Sequence, residues 1–420
     1  MDKIKINPKK IMVLAGGPDQ ADLIDLLKEM YPRCEILLID MAYPVMATSH
    51  ADRHIQVSTM DFEAVKECAV KENVDCIITA CGDQPLITMA KISEELGLHC
   101  YLTQEQALNM TNKLHMKKIM LDNGIPTANF RTVTEETEDI SDLGFPVMIK
   151  PADCNGSLGV RKANNIEEFK KFFNEAKNYS ISNSAIVETF TSGTEVNVDC
   201  YAIDGHAKLL MYGNVRKKKI GQNITLIYQT YIPADISSKA LENIQKIADD
   251  ITRVFKLDNT PILIQTIVNG DDVSVIEFAP RIGGGAKHRT VTYKTGFDIL
   301  KANVESMLGE KPEIRTNYDS DFYSRNHVYA FPGTYSHVEN VDKLIEDGII
   351  VEYVPIKMKG AKIGEYFASR DRVGSFLVKA PTIEELEKKI HIAAQTLSVI
   401  DDEGNDIMKH HMFDIDENLV

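Results

Sequence analysis

The sequence predicts a multidomain protein, doubly wound α/β at its N-terminal end and α+β beyond it. Three observations predict this. Residues 10–110 alternate short apolar runs with amphipathic stretches, the order of a parallel sheet covered by helices. Between 145 and 280 short apolar runs dominate, interrupted by one long amphipathic stretch at 237–256. From about 325 the strand pattern restarts and ends in a helix at 382–397. A chain of 420 residues with 44% hydrophobic composition can bury several cores and exceeds one ordinary domain.

Taken in order, KIMVLAG, EILLID and DCIITA read as parallel strands, and 19–30, 61–72 and 84–96 as their helices. TNKLHMKKIMLDNGIP reads as a helix opened by a Thr/Asn cap and stopped at Asn-Gly before Pro126. FPVMIKP is a strand running into the glycine-bearing loop DCNGSLGV, followed by a strand and the helix NIEEFKKFFNEA. SAIVETF, EVNVDCYAI, HAKLLMYGNV, PILIQTIV and DVSVIEFAP are strands, as are HVYAFP, IIVEYVP and GSFLVKA. The expected units are 1–110, 111–190, 191–320 and 321–420.

Composition narrows the function. A formal charge of −15 opposes a general nucleic-acid or anionic-membrane binder, since both need a basic face. Seven cysteines without a C-x-x-C pair or zinc spacing read as reduced thiols, which points to the cytoplasm. IMVLAGG is too short an apolar run for a signal peptide, and no run approaches the ~20 residues of a membrane span.

Four stretches carry chemistry. LAGGPDQ, a strand-to-helix turn, is followed by Asp40 at the end of the next strand, but the G-x-G-x-x-G of a dinucleotide site is absent. KPADCNGSLGV puts Lys150 at a strand end before small residues whose N–H groups could surround phosphate; a surface hairpin reads equally well. IVETFTSGTEVNVD carries Glu188 and Glu195 on either side of a turn at Gly193, where two solvated acids are the plain alternative. In PILIQTIVNGDDVSVIEFAPRIGGG, a turn at NGDD lets Gln265 and Glu277 lie side by side on a hairpin, oxygen donors suited to Mg²⁺. The alternative there is a buried Glu–Arg pair, although three following glycines point to close backbone approach by a ligand.

In this order and spacing the four stretches resemble the ATP-grasp superfamily over about residues 10–400. The likeness is greatest to its carbamoyl-phosphate-synthetase-like and L-amino-acid-ligase-like members. The resemblance implies an ATP-grasp fold (small subdomain 111–190, large subdomain 191–320) behind an N-terminal α/β domain. A C-terminal β-rich domain would complete the active-site lobe. It also implies Lys113 and Lys150 on nucleotide phosphates, with Asn155, Gly156, Ser157 and Gly159 in a glycine loop closing over them. Glu188 and Phe190 would form the adenine hinge, Glu195 would meet the ribose, and Gln265 and Glu277 would hold metal. Arg281 would be catalytic, with Lys150, at the transferring phosphoryl group. One departure is Ala279, where E-x-N-x-R usually has asparagine.

The implied activity is an ATP-dependent carboxylate–amine ligase working through an acyl phosphate on small amino-acid-like substrates. Its cofactors would be ATP and Mg²⁺, with Mn²⁺ as a substitute; its partners would be the small acid and amine, and a homodimer is compatible. Gly283, Gly284, His288 and Arg216 are the expected substrate contacts, His288 as a base for the amine. Arg216 opens RKKK, which reads equally as a solvated turn. The alternatives are a purine-pathway glycinamide or formate ligase, a carbamoyl-phosphate-like step, or an ATP-binding regulatory protein with weakened catalysis.

Overall fold

Residues 6–152, 159–180, 182–220, 224–364 and 371–414 are described by this computed structural model of the chain. The N-terminal unit runs β1 (Lys10–Leu14), α1 (Pro18–Met30), β2 (Glu35–Ile39), β3 (Arg53–Ile55), α2 (Phe62–Glu72), β4 (Cys76–Ile78) and α3 (Asp83–Leu96). Its strands pair in parallel in the order β3-β2-β1-β4. Strands covered on both faces need apolar residues throughout, which is why KIMVL and EILLI are buried almost end to end.

Two helices, α4 (Gln104–Thr111) and α5 (Lys113–Asp122), lead to a small antiparallel sheet. It contains β5 (Phe130–Val133), β6 (Val147–Pro151), β7 (Arg161–Ala163) and β8 (Ala185–Thr189), ordered β5-β8-β6-β7. Helix α6 (Ile166–Tyr179) covers it, burying Phe169, Phe172, Phe173 and Ala176 at helical spacing in a core of its own.

The remaining chain builds one large antiparallel sheet. It takes β9 (Thr194–Ile203), β10 (His206–Ile220), β11 (Ile224–Ile232), β12 (Thr260–Asn269) and β13 (Asp272–Ala279), with α7 (Ser238–Val254) between β11 and β12. After α8 (Lys287–Thr295) and α9 (Ile299–Met307) come β14 (Phe322–Tyr329), β15 (Gly333–Glu339), α10 (Val341–Glu346), β16 (Glu352–Pro355), β17 (Lys362–Ile363), β18 (Arg372–Ala380), α11 (Ile383–Thr396) and β19 (Ser398–Asp401). The order is β13-β12-β9-β10-β11-β14-β18-β16, so strands beyond 320 continue the same sheet, while β17-β15-β19 stand apart.

One apolar core runs without a break from Ile11 and Leu37 through Met110 and Met116 to Val198 and Ile264, joining the N-terminal unit to the large sheet. The open end of the parallel sheet is thereby held against the end of β13. No helix among the described residues is long and apolar enough to cross a membrane. RKKK is not a turn: residues 216–219 continue β10, with a bulge between Arg216 and Lys217.

Candidate active site

Three neighbouring strands make the floor. Gln265 of β12 lies in register with Glu277 of β13 on one side and Asn197 of β9 on the other. Two residues along, Leu263 stands between Ala279 and Asp199, so the period of two puts both rows on one face. The hairpin turn at Gly270, with φ +59°, sets this register, and a bulge after Gln265 adjusts it next to the site. Glu277 and Gln265 therefore sit side by side, as their spacing predicts. With Asp83, Thr111, Lys113, Leu263, Ala279 and Arg281 they line one cleft. Glu277 keeps 38% of its side chain exposed, and Asn197 has a buried Oδ1 with no hydrogen-bond partner.

Lysines stand over this floor. The Asn112 side chain caps α5 by accepting from the Leu114 and His115 N–H groups, which fixes Lys113 as the first helical residue. Lys113 Nζ lies 3.7 Å from Glu277 Oε2. One turn on, Lys117 is 2% exposed and donates to Thr127 Oγ1 at 2.9 Å, while Thr127 donates to the Val275 carbonyl and ties α5 to β13. Lys150, near the end of β6, donates to Glu188 Oε2 at 2.6 Å, and Lys117 Nζ stands 3.3 Å from Glu188 Oε1.

Glu188, 4% exposed, is thus a buried carboxylate between two ammonium groups. Burial alone would raise its pKa, but Lys150 and then Lys117 hold it below the ordinary carboxylate value. Burial draws the Lys117 ammonium below its ordinary 10.5, against the pull of Glu188. Both Glu188 oxygens are directed at lysines, so in this structure the residue whose implied place is the adenine hinge is the counter-charge between them.

The other nucleotide-side residues are distributed around this group. Phe190 donates its N–H to the Pro146 carbonyl, and Lys162 Nζ sits 3.8 Å above its ring. Glu195 projects from β9 and pairs with Lys217 of β10. Gly159 has φ +71°, and a Cβ there would stand 2.8 Å from Pro151 Cγ. Asn155, Gly156 and Ser157 lie outside the described residues. Arg281 donates Nε–H to Asp83 Oδ1 at 2.6 Å, an ion pair between the end of the large sheet's hairpin and the first residue of α3. Burial opposes the guanidinium charge, yet Asp83 raises its pKa above the ordinary value.

Residues 143–289 match the family described as ATP-grasp domain. This stretch is an ATP-grasp domain. Among curated proteins it is similar to the carbamoyl phosphate synthase large chain of Clostridium acetobutylicum, 24% identical over 271 residues, covering 62% of this chain and 24% of that one. The chain thus aligns with about a quarter of that relative's length. Among solved structures it resembles phosphoribosylglycinamide synthetase from Anaerococcus prevotii at TM-score 0.75 and 20% identity, covering 94% of this chain and 100% of the other. It also resembles L-amino acid ligase from Bacillus licheniformis at TM-score 0.76 and 18% identity, covering 94% and 99%. These structural likenesses establish the fold.

Two expected substrate contacts have structural partners of their own. His288 is not poised as a base: it is 5% exposed, with Nε2 2.8 Å from Asp22 Oδ2 and Nδ1 3.4 Å from Asp19 Oδ1. Burial opposes its charge, but the carboxylates of Asp19 and then Asp22 raise its pKa from 6.5 to about 9. Two carboxylates that favour the protonated ring oppose its use as a base near neutrality. Arg216 stacks on Tyr231 at 3.8 Å and faces Glu387 of α11, and it is not among the residues lining the cleft. Its neighbours also have structural partners, Lys217 on Glu195 and Lys218 on the His411 carbonyl.

Gly283 and Gly284 follow Arg281 and are not themselves among the residues lining the cleft. A Cβ at Gly283 would stand 2.6 Å from Lys287 Cδ, and one at Gly284 3.8 Å from Asp19 Oδ2 and Cys81 Sγ. Sequence reasoning missed Lys117, Asn197 and Asp199 as part of this arrangement, while Asp83, in the loop after DCIITA, is a residue that the crevice of an open α/β sheet points to. Lys117 had a usable signal, its position four residues after Lys113 on the same helical face. Among the described residues no group of three His, Cys, Asp or Glu side chains is placed to hold a metal. The donor set around Glu277 is one carboxylate with the Gln265 and Asn197 amides, all hard oxygen donors, which suits Mg²⁺ when phosphate oxygens complete the shell.

Proposed function

We propose that the chain is an ATP-dependent ligase that joins a carboxylate to an amine through an acyl phosphate, on small amino-acid-like substrates. The observation that carries this is the convergence of Lys113, Gln265, Glu277 and Arg281 on one cleft, with Lys150 and Lys117 held beside it by Glu188. A carboxylate resists amine attack because its leaving group would be oxide. Transfer of the γ-phosphoryl group of ATP to a carboxylate oxygen breaks the bond to ADP and forms an acyl phosphate. The amine then attacks the carbonyl carbon, phosphate departs with the C–O bond electrons, and the nitrogen loses its proton to solvent or phosphate.

Such chemistry needs positioning and charge stabilisation more than covalent catalysis. Lys113 and Lys150 would hold triphosphate oxygens as point charges, and Arg281, fixed in orientation by Asp83, would face the oxygens on which charge develops. Glu277 would hold Mg²⁺, aided by the Gln265 and Asn197 amides, and the ion would neutralise triphosphate charge. Asp19 in the first turn of α1, Asp40 just after β2 and Asp83 at the start of α3 make an acidic setting unfavourable to the phosphoribosyl group of a purine intermediate.

The test is phosphate release with ATP and Mg²⁺ across a matrix of carboxylic acids and amines, with products read by mass spectrometry. Substrate-dependent ADP and an amide product are expected. Formation of AMP and pyrophosphate, or turnover at the wild-type rate in Glu277→Gln, would overturn the reading.

A further inference from the structure

Around the glycine run nearly every cation has its carboxylate. Arg281 has Asp83, Lys287 has Asp199, and His288 and Arg289 share Asp19, Asp22 and Glu352, the last also holding Arg325 at 2.6 Å. Arg372, the first residue of β18, differs. Its Nε–H goes to the Tyr329 hydroxyl at 3.0 Å, and no carboxylate among the described residues forms an ion pair with it.

Beside it stands His327 of β14, 6% exposed, with a buried Nδ1 that has no hydrogen-bond partner. Both side chains reach the glycine run. Gly285 has φ +79°, and a Cβ there would lie 3.6 Å from His327 Cε1 and 3.8 Å from an Arg372 terminal nitrogen. Burial first, then the charges of Arg372, Arg325 and Lys287, drive the His327 pKa well below 6.5, so the ring is neutral and the local field is positive. An orphaned buried ring nitrogen and a guanidinium without a counter-charge are both costly unless a ligand satisfies them. A guanidinium offers paired donors to a planar carboxylate, and a neutral imidazole can add one more.

We propose that Arg372 and His327 bind the free carboxylate of the amine-bearing substrate, which makes that substrate an α-amino acid and not a simple amine. The proposal rests on the ligase reading above. The carboxylate to be activated belongs at Arg281; a second anion held by Arg372 and His327 would stand beside Gly285, whose N–H is already taken by Asp19. An amino acid anchored there would keep its amino group free for attack on the activated carboxyl.

Two measurements test this. The first is binding of the twenty amino acids, and of their carboxamides, to the wild-type protein, Arg372→Ala, Arg372→Lys and His327→Ala, with ADP and Mg²⁺ present. At least one amino acid should bind, its carboxamide at least about 30-fold more weakly, with a similar loss in Arg372→Ala and a smaller one in Arg372→Lys. ADP affinity should stay within about twofold in all variants, which also shows that they fold. The second measurement is turnover with the amine-bearing component supplied as its carboxamide and the acid component unchanged. Loss of rate in wild type, with no further loss in Arg372→Ala, supports the assignment; an unchanged rate with the carboxamide overturns it. Equal binding of amino acid and carboxamide, or unchanged affinity in Arg372→Ala, also overturns it. ADP binding that depends on Lys150 is scored separately, so failure of the nucleotide reading is distinguishable from failure at Arg372.

Discussion

Protonated His288 is the joint between the N-terminal unit and the large sheet, and its loss with rising pH gives a stability change of calculable sign. The ring's pKa is raised from 6.5 to about 9 in the folded chain, so its contribution is fully present below pH 6.5 and is lost as pH rises through 9. A rise of this size corresponds to about 3 kcal/mol, because each pKa unit carries 1.36 kcal/mol. The slope between the two pKa values leaves about 2 kcal/mol at pH 7.5 and essentially none by pH 10. Little of this is screened, because both the ring and Asp19 are buried.

The assay is urea unfolding followed at steps from pH 6 to pH 10, for wild type and His288→Gln. The wild-type curve should lose about 3 kcal/mol relative to the variant across this range, with most of the loss between pH 7 and 9. Parallel curves for the two proteins would refute the clamp, and with it the case against His288 as a base. The partner aspartates act on the acid side. Asp19 and Asp22 are held below their ordinary 3.8, where burial alone would raise them, so their stabilisation is present above that value and fails as pH falls further.

Other outcomes follow from single contacts. Lys117→Met should destabilise by about 3 kcal/mol, since Glu188 keeps only one of its two buried cations; adding Glu188→Gln should recover part of this in thermal unfolding. Arg281→Ala should reduce turnover at least about 100-fold with ATP binding nearly intact, read as kcat against KM in single-turnover and steady-state assays. Gly193→Ala should cost about 2 kcal/mol or more, because φ is +140° and the new Cβ would lie 2.4 Å from the Val268 carbonyl oxygen; unchanged denaturation midpoints would contradict the strand junction described.

Much of the architecture was legible because the relevant signals are local. The three parallel strands of the first unit are continuous apolar runs, and the side-by-side placement of Gln265 and Glu277 follows from a turn at NGDD and a period of two. What the sequence hid was long-range. Asp83 and Arg281 meet across nearly 200 positions, and nothing in either segment signals the other. His288 was misread for the same reason. A histidine after three glycines looks like a ligand contact until Asp19 and Asp22 are brought to it from the start of the chain. RKKK was read without its strand partners, since Glu195, Tyr231 and Glu387 come from three other elements. The strand β11 that pairs with it was not picked out at all.

Electrostatics link these readings. A chain of formal charge −15 repels nucleotide triphosphates at long range, so binding must rest on local cations that remain after internal pairing. Glu188 neutralises one of its two lysines, leaving an excess of positive charge where triphosphate oxygens would sit. Glu277 exposes a carboxylate that would repel phosphate unless a divalent cation intervenes. Chelating Mg²⁺ should therefore weaken ATP binding more than ADP binding, because the terminal phosphate would then face Glu277 directly. Equal affinity losses for the two nucleotides in the chelator would place the terminal phosphate away from that carboxylate.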